Sequence, residues 1–486
     1  MKTTANVIFA AFEATPFIKT GGLGDVGGAL PPALKKSGCN VKVILPKLSI
    51  IPEKYKKKME HVETIYVPLS WRNQYCGIEK FTYHGVTFYF LDNEYYFKRD
   101  KVYGHLDDGE RVAFFSKAIL ECILKVPELE CDILHCNDWH TALVPVFLRE
   151  FYMGCEKMAN IKTIFSVHNL KFQGIFGKQI LGDILGLDTK AAARSQLRHG
   201  RGAVNLMKGA LLYSDVLSTV SPTYAEEIKG SYFGEKMEGI FNKRSSRLFG
   251  ILNGIDTTEY NPKKDKKIPQ EFSIDDLSGK AVCKAELQRR IGLEVKENTP
   301  LIILITRLTE QKGLDLLLRI LDELLQEDIQ LAVLGTGDEK YENALRDSEN
   351  RYKGKMCAYL AFDPALSHLF YAGADMLLMP SRFEPCGLSQ MIAMRYGTLP
   401  IVRETGGLKD SVIPYNKYTG EGTGFSFSDF NAHQFLFVLK DAIGVYHENK
   451  EAWQNLVIQA MKTDVSWRIH AKEYIALYNK MMEGSL

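Results

Sequence analysis

Cations beside small-residue turns carry most of the chemistry this sequence offers. Lys19-Thr20-Gly21-Gly22 sets an ammonium group beside a flexible turn, immediately ahead of a helix N-terminus. The N–H groups of such a turn can approach an anion closely. A glycine-rich loop holding no ligand is the plainer reading of the same residues. Arg307 follows the apolar run LIILIT, and Lys312 stands five positions on in RLTEQKGLD. Two cations near a strand end suit a diphosphate, although surface Arg/Lys pairs are also common. In PSRFEPCGLSQ (380–390), Glu384 and Pro385 follow another strand, and Cys386-Gly387-Leu388 offer backbone amides where the next helix opens. Nothing nearby supplies Cys386 with an ordered base, so the sequence does not support a nucleophile there. VRETGGLKDSV (402–412) adds a further small-residue turn after a strand.

Gly22-Leu23-Gly24-Asp25-Val26-Gly27 also reads as G-x-G-x-x-G, the fingerprint of a dinucleotide-binding turn. In that motif the first glycine follows the strand almost at once, and an acidic residue about 20 positions later takes the ribose hydroxyls. Here Glu13 to Gly21 intervene, and the next strand ends in Pro46 and Lys47. Both contextual tests fail, which argues against a dehydrogenase. Gly24, Gly27 and Gly28 instead leave little side-chain bulk on the following helix, whose start Pro31 and Pro32 place near themselves.

These residues need a frame. Short β-branched and aromatic runs recur at 7–12, 41–46, 86–91, 132–136, 161–168, 215–220 and 248–254, each followed by a polar loop and a helical-period segment. After NGIDTTEYNPKKDKKIP, a polar connector in which Lys263–Lys267 reads as a solvated charge run, the cycle restarts at 301–306, 329–335, 355–361, 375–380 and 399–404. Strands alternating with helices predict an α/β fold of two doubly wound, Rossmann-like domains built on parallel sheets. Ligands would bind at the carboxyl ends of the strands, in a cleft between the domains. Residues 464–482 read as an amphipathic terminal helix.

At 486 residues the chain is too long for one core. The 61 basic and 59 acidic side chains nearly cancel, which gives no global attraction to nucleic acid or to an anionic membrane. Nine cysteines without a C-x-x-C pair read as reduced thiols of a cytoplasmic protein. The N-terminal apolar run, broken by Glu13 and Pro16, reads as a buried strand rather than a signal peptide. No apolar stretch reaches the about 18 residues a membrane helix needs.

In order, KTGGLGDVGGALP, DWHTALVP, VHNLKFQG, TVSPTYAEEI, LNGID, RLTEQKGLD, PSRFEPCGLSQ and TGGLKDSV span the chain and resemble bacterial glycogen synthase and plant starch synthase. The family's usual KTGGLADV differs at one position, Gly24 replacing alanine. The resemblance implies a retaining glucosyltransferase of the two-Rossmann glycosyltransferase-B architecture. It also implies an N-terminal domain over 1–253, joined by the terminal helix (464–486) packing back on it, and a C-terminal nucleotide-sugar domain over 254–463. Lys19 with the Gly21 and Gly22 amides would approach the donor's pyrophosphate, as would Arg307 and Lys312. His168 would lie beside the transferred glucose. Glu384, with Cys386, Gly387 and Leu388, would hold its hydroxyls. Asp25, Asp138 and Asn253 would line the sugar or acceptor side, and Phe362 would stand against the nucleobase.

Each of these has a plainer reading: His135 and His140 as hydrogen-bonded structural histidines, Asp138 as a helix cap, Trp139 as a packing aromatic. Glu384 is the hardest to explain structurally, because an acid beside phosphate-binding cations is costly without a hydroxyl to hold. The chain contains no Asp-x-Asp, so the expected reaction is metal-free and needs no cofactor. ADP-glucose is the expected donor and an α-1,4-glucan the acceptor. UDP-glucose, another glycosyltransferase of this architecture, a pyridoxal-dependent phosphorylase and a non-catalytic glucan-binding protein are the alternatives.

Overall fold

Strands buried on both faces need apolar residues at every position, and the recurring runs supply them. The computed structural model describes residues 5–486. The residues before Ala5, which the strand reading of the N-terminus takes in, lie outside the described ones. In chain order the strands are β1 (Asn6–Ala10), β2 (Asn40–Pro46), β3 (Glu60–Leu69), β4 (Arg72–Tyr83), β5 (Val86–Asp92), β6 (Ile133–Asn137), β7 (Lys162–Val167), β8 (Ile175–Gly177), β9 (Arg198–His199), β10 (Ala203–Asn205), β11 (Val216–Thr219), β12 (Leu248–Gly250), β13 (Leu301–Ile305), β14 (Gln330–Leu334), β15 (Met356–Tyr359), β16 (Met376–Met379), β17 (Leu399–Arg403) and β18 (Phe425–Phe427). Four helices matter below: α1 (Gly22–Lys36), α2 (Leu314–Leu324), α3 (Ser389–Arg395) and α4 (Trp467–Glu483). The chain forms two compact units, Met1–Asn253 with Trp467–Leu486, and Gly254–Ser466.

The first unit is built on a sheet of order β12-β11-β7-β6-β1-β2-β5-β4-β3. It is parallel from β12 to β5, but β3, β4 and β5 pair antiparallel, a departure from the all-parallel expectation. The hairpin went unread because its exposed and buried positions alternate over Ile65–Leu69, with no continuous apolar run. Such a sheet edge faces water on one side. Its tip is a two-residue turn with Ser70 at φ 53, a left-handed value that matches the strands' twist. A small antiparallel sheet, β8-β10-β9, follows β7.

Helix α1 begins at Gly22, capped by Gly21, with Pro31 and Pro32 well inside it. This corrects the expectation that the prolines mark its start. They remove two ladder donors, and burial of Leu23, Val26, Leu30 and Leu34 offsets that local cost. The fingerprint glycines answer to packing: a Cβ on Gly27 would sit 2.3 Å from the Glu13 carbonyl oxygen, and one on Gly28 2.0 Å from Thr15 Oγ1. The helix therefore presses on the loop that precedes it. Helix α4 adds Trp467, Ala471, Tyr474, Ile475, Leu477, Tyr478 and Met481 to the first unit's core. The Tyr478 hydroxyl meets His135 Nδ1 at 2.7 Å, and His135 Nε2 lies 2.6 Å from Ser166 Oγ.

The second unit carries an all-parallel sheet of order β15-β14-β13-β16-β17-β18. Counted within the unit, the order is 3-2-1-4-5-6, with its reversal between β13 and β16. The Lys263–Lys267 run is only partly solvated, a second correction. Asp265 is buried, accepts from Tyr396 Oη at 2.5 Å and lies 2.6 Å from His368 Nδ1. All nine cysteines are free thiols. Among the described residues no helix is long and apolar enough to cross a membrane.

Candidate active site

In each unit the loops at the carboxyl ends of the central strands gather the polar groups. After β1, the Glu13 carboxylate accepts from Thr20 N at 2.5 Å and Thr20 Oγ1 at 2.7 Å, and also from the Tyr103 hydroxyl. Those bonds hold the Lys19–Gly22 turn against the sheet. Above Gly21 and Gly22 the space is open, since a Cβ on either would meet nothing within 4 Å. Lys19 Nζ donates to Asp25 Oδ1 at 2.6 Å, with 39% and 27% of the two side chains exposed. Two of the predicted residues thus form an ion pair at the water's edge.

The next two strands place a second group. Asp138 follows β6 with φ 57, an uncommon conformation for a residue with a side chain. It makes no side-chain helix cap. Its Oδ1 accepts from the His168 backbone N–H at 2.9 Å, tying the turn after β7 to the end of β6. Burial raises the Asp138 carboxyl to about 7 against the pull of the His168 and Asn169 amides. His168 Nε2 lies 2.9 Å from Asn137 Oδ1, and burial holds its imidazole down to about 4. His140 stacks on Phe12 and on Tyr103, at 5.2 Å and 4.6 Å. Burial, first, and the neighbouring His168 lower both His135 and His140 to about 3. Both rings are packed in the core, but only His135 is hydrogen-bonded at both nitrogens; His140 Nδ1 has no hydrogen-bond partner among the described residues. Asn253, also buried, leaves Oδ1 without a hydrogen-bond partner among the described residues.

In the second unit the sheet's reversal point falls between the strands that carry Arg307, Lys312 and Glu384. Arg307 is exposed and has no acidic partner among the described residues. A single turn, Glu310–Lys312, ends at Gly313, where φ is 73 and a Cβ would lie 1.9 Å from the Pro380 carbonyl oxygen. Only glycine lets the loop after β13 lie on the loop after β16. There Lys312 Nζ donates to Glu384 Oε2 at 2.5 Å, and Ser381 Oγ donates to the same oxygen at 3.1 Å. The acid beside the cations therefore has a lysine counter-ion and does not depend on a sugar hydroxyl for its partner. Glu384 Oε1 accepts no hydrogen bond among the described residues.

Cys386 is buried, Gly387 adopts φ 73, and Leu388 leads into α3. Gln390 Nε2 donates to the carbonyls of Cys386 and Gly387 at 3.1 and 3.0 Å, holding that turn in shape. Phe362 follows β15, two strand positions from β13, and is 76% exposed. Among the described residues no group of three or more His, Cys, Asp or Glu side chains could hold a metal ion.

Sequence reasoning overlooked Glu13, Thr20, Tyr103, Ser381 and Asn137. Glu13 and Asn137 carried a signal, being polar residues at the carboxyl ends of apolar strands. Tyr103 and Ser381 join through contacts that no spacing encodes.

Residues 6–243 match the family described as the starch synthase catalytic domain, and residues 287–455 match glycosyl transferases group 1. Similar curated proteins include a glycogen synthase of Anoxybacillus flavithermus, 48% identical over 99% of this chain and 98% of that protein. Another, from Bacillus cereus (strain ATCC 10987 / NRS 248), is 50% identical over 98% of this chain and 100% of that protein. The solved catalytic domain of starch synthase IV from Arabidopsis thaliana, bound to ADP and acarbose, superposes with a TM-score of 0.91. It is 33% identical and covers 98% of this chain and 99% of that one. A sucrose-phosphate synthase from Thermosynechococcus elongatus, at 15% identity and TM-score 0.61, shares the fold; 99% of this chain and 100% of that one are covered.

Proposed function

Because the chain belongs to the glycogen synthase family, we propose that it transfers glucose from ADP-glucose to the non-reducing-end 4-hydroxyl of an α-1,4-glucan, with retention at the anomeric carbon. The bond from C1 to the diphosphate breaks, the bond from C1 to the acceptor oxygen forms, and the acceptor proton passes to the leaving phosphate. Positive charge grows at C1 and negative charge on the diphosphate. Stabilising that leaving group is the main catalytic task, and preorganised cations perform it.

On this reading Lys19 with the open Gly21–Gly22 turn, and Arg307 with Lys312, are the groups assigned to the diphosphate. The observation that carries this reading is the Lys312–Glu384 pair at the reversal point of a dinucleotide-type sheet. It supports this reading because Lys312 keeps a charge for phosphate while Glu384 Oε1, which accepts no hydrogen bond among the described residues, can take one from a glucose hydroxyl. Cys386, Gly387 and Leu388 add main-chain groups on the sugar, and Phe362 offers its exposed ring to the base. His168 stays neutral beside the sugar, while Asp138, Asp25 and Asn253 line the sugar and acceptor side. No carboxylate is assigned as a covalent nucleophile, so transfer occurs on one face of the sugar. The three cations supply the charge a divalent metal would bring, and the reaction proceeds without one. The reading places the enzyme in the cytoplasm, where its free thiols stay reduced.

The test uses purified protein, labelled ADP-glucose or UDP-glucose, and glycogen primer, with and without EDTA. Label enters glycogen from ADP-glucose and is undiminished by EDTA. Incorporation from UDP-glucose alone overturns the donor assignment, and loss of activity with EDTA overturns the metal-free mechanism.

A further inference from the structure

Asn137 ends β6 fully buried, and its amide orientation is determined by its neighbours. Nδ2 donates to the Ala10 carbonyl at 3.0 Å and to the His135 carbonyl at 3.3 Å. Rotating the amide by half a turn would set Oδ1 against both carbonyl oxygens and lose both bonds. Oδ1 therefore faces His168 Nε2 at 2.9 Å and can only accept. The ring nitrogen opposite it must carry the proton. A neutral imidazole has one N–H, so Nδ1 is left with a lone pair and no donor partner among the described residues. Burial keeps the ring neutral. The backbone N–H of His168, bonded to Asp138 Oδ1, fixes where that lone pair stands.

We propose that Asn137 is a positioning residue that locks His168 in the Nε2–H tautomer, so that Nδ1 accepts a hydrogen bond from a hydroxyl of the transferred glucose. The inference rests on the glucosyl-transfer reading for its ligand, but the tautomer itself does not. The other tautomer would present an N–H, which a sugar hydroxyl could meet only by accepting. The choice matters for selectivity: a site built to receive a hydroxyl's proton rejects an analogue lacking that hydroxyl far more strongly than a shape-only pocket does.

The experiment reads the ring directly. Protein labelled with nitrogen-15 in histidine is examined near neutral pH, and the His168 signals are identified by their loss in His168→Gln. The expected wild-type spectrum has Nε2 protonated and Nδ1 unprotonated, and Asn137→Ala shows a mixture of tautomers. Protonated Nδ1 in the wild type overturns the proposal even if Asn137→Ala does not fold, as does an unchanged tautomer in Asn137→Ala. Kinetics with ADP-glucose analogues, each lacking one sugar hydroxyl, test the ligand. One analogue loses about tenfold or more in kcat/KM with the wild type, and that loss shrinks in Asn137→Ala, the scale of a single hydrogen bond. An equal penalty in both proteins for every analogue overturns the role on the sugar. Failure of the glucosyl-transfer reading would look different: no nucleotide-glucose would be turned over, while the spectrum would still report the tautomer.

Discussion

Replacing Lys312 with alanine leaves the Glu384 carboxylate, with only 8% of its side chain exposed, facing Ser381 Oγ as its remaining donor among the described residues. Removing one partner of a fully buried pair costs about 3–5 kcal/mol. Lys312 keeps 16% of its side chain in solvent, and screening brings the expected loss of stability to about 1–3 kcal/mol. The loss in turnover has a separate origin. On the proposed reading, the departing diphosphate without Lys312 lacks one preorganised cation, the kind of stabiliser whose removal lowers kcat about 10²–10³-fold. A Lys312→Ala, Glu384→Gln double variant separates the two effects, because it also removes the stranded charge. Thermal melting followed by circular dichroism should show the double variant regaining most of the lost melting temperature. Label incorporation from ADP-glucose should stay at least 10²-fold down. A folded Lys312→Ala protein within about threefold of wild-type turnover refutes the assignment. So does a double variant whose turnover returns together with its melting temperature, since Lys312 would then be a counter-ion and nothing more.

Gly27→Ala should destabilise by about 1–3 kcal/mol, because its Cβ meets the Glu13 carbonyl at 2.3 Å, whereas Gly22→Ala should leave the melting temperature nearly unchanged. Asp265→Ala strips both buried partners, Tyr396 and His368, and should lower the urea midpoint by an amount equivalent to about 2–4 kcal/mol. Burial holds the folded-state pKa values of His135, His140 and His168 at about 3, 3 and 4, below the 6.5 of a free imidazole. Between those limits the unfolded chain binds more protons, so their stabilising contribution is complete above pH 6.5 and is lost as pH falls toward 3. Asp138, raised from 3.8 to about 7, acts in the opposite sense and favours the folded state most at the acid end of its range. With three imidazoles against one carboxyl, urea midpoints should fall from pH 7 to pH 4.5, and His135→Gln should flatten that fall.

The strands of both sheets' centres were legible because burial on two faces demands unbroken apolar runs, as in LIILIT and DMLLMP. The β3–β4 hairpin was not, since an edge exposed on one side needs only alternate apolar residues. Pro31 and Pro32 misled through local preference, which tertiary burial overrode. Asp265 was hidden among lysines, and only the fold brings it to His368 and Tyr396. The polar loops after the strands were visible as places for chemistry, but their pairings were not. Lys312 and Glu384 are 72 positions apart and meet because adjacent strands end side by side. Asn137 and His168 meet for the same reason across 31 positions. The Lys19–Asp25 pair forms where α1 turns back on its own leading loop, a packing detail set by Gly27 and Gly28.

The first unit is discontinuous, with residues 254–466 intervening between its two parts. During vectorial synthesis on the ribosome, the later unit has all of its strands before the earlier one has its last helix. Until residues 467–486 emerge, the nascent chain shows solvent the groove that Trp467, Tyr474 and Tyr478 will fill, and the His135 ring lacks its tyrosine hydroxyl. Maturation of the earlier unit thus waits until residues 467–486 have been made, and a frameshift ahead of them would cripple the half of the enzyme that was made first.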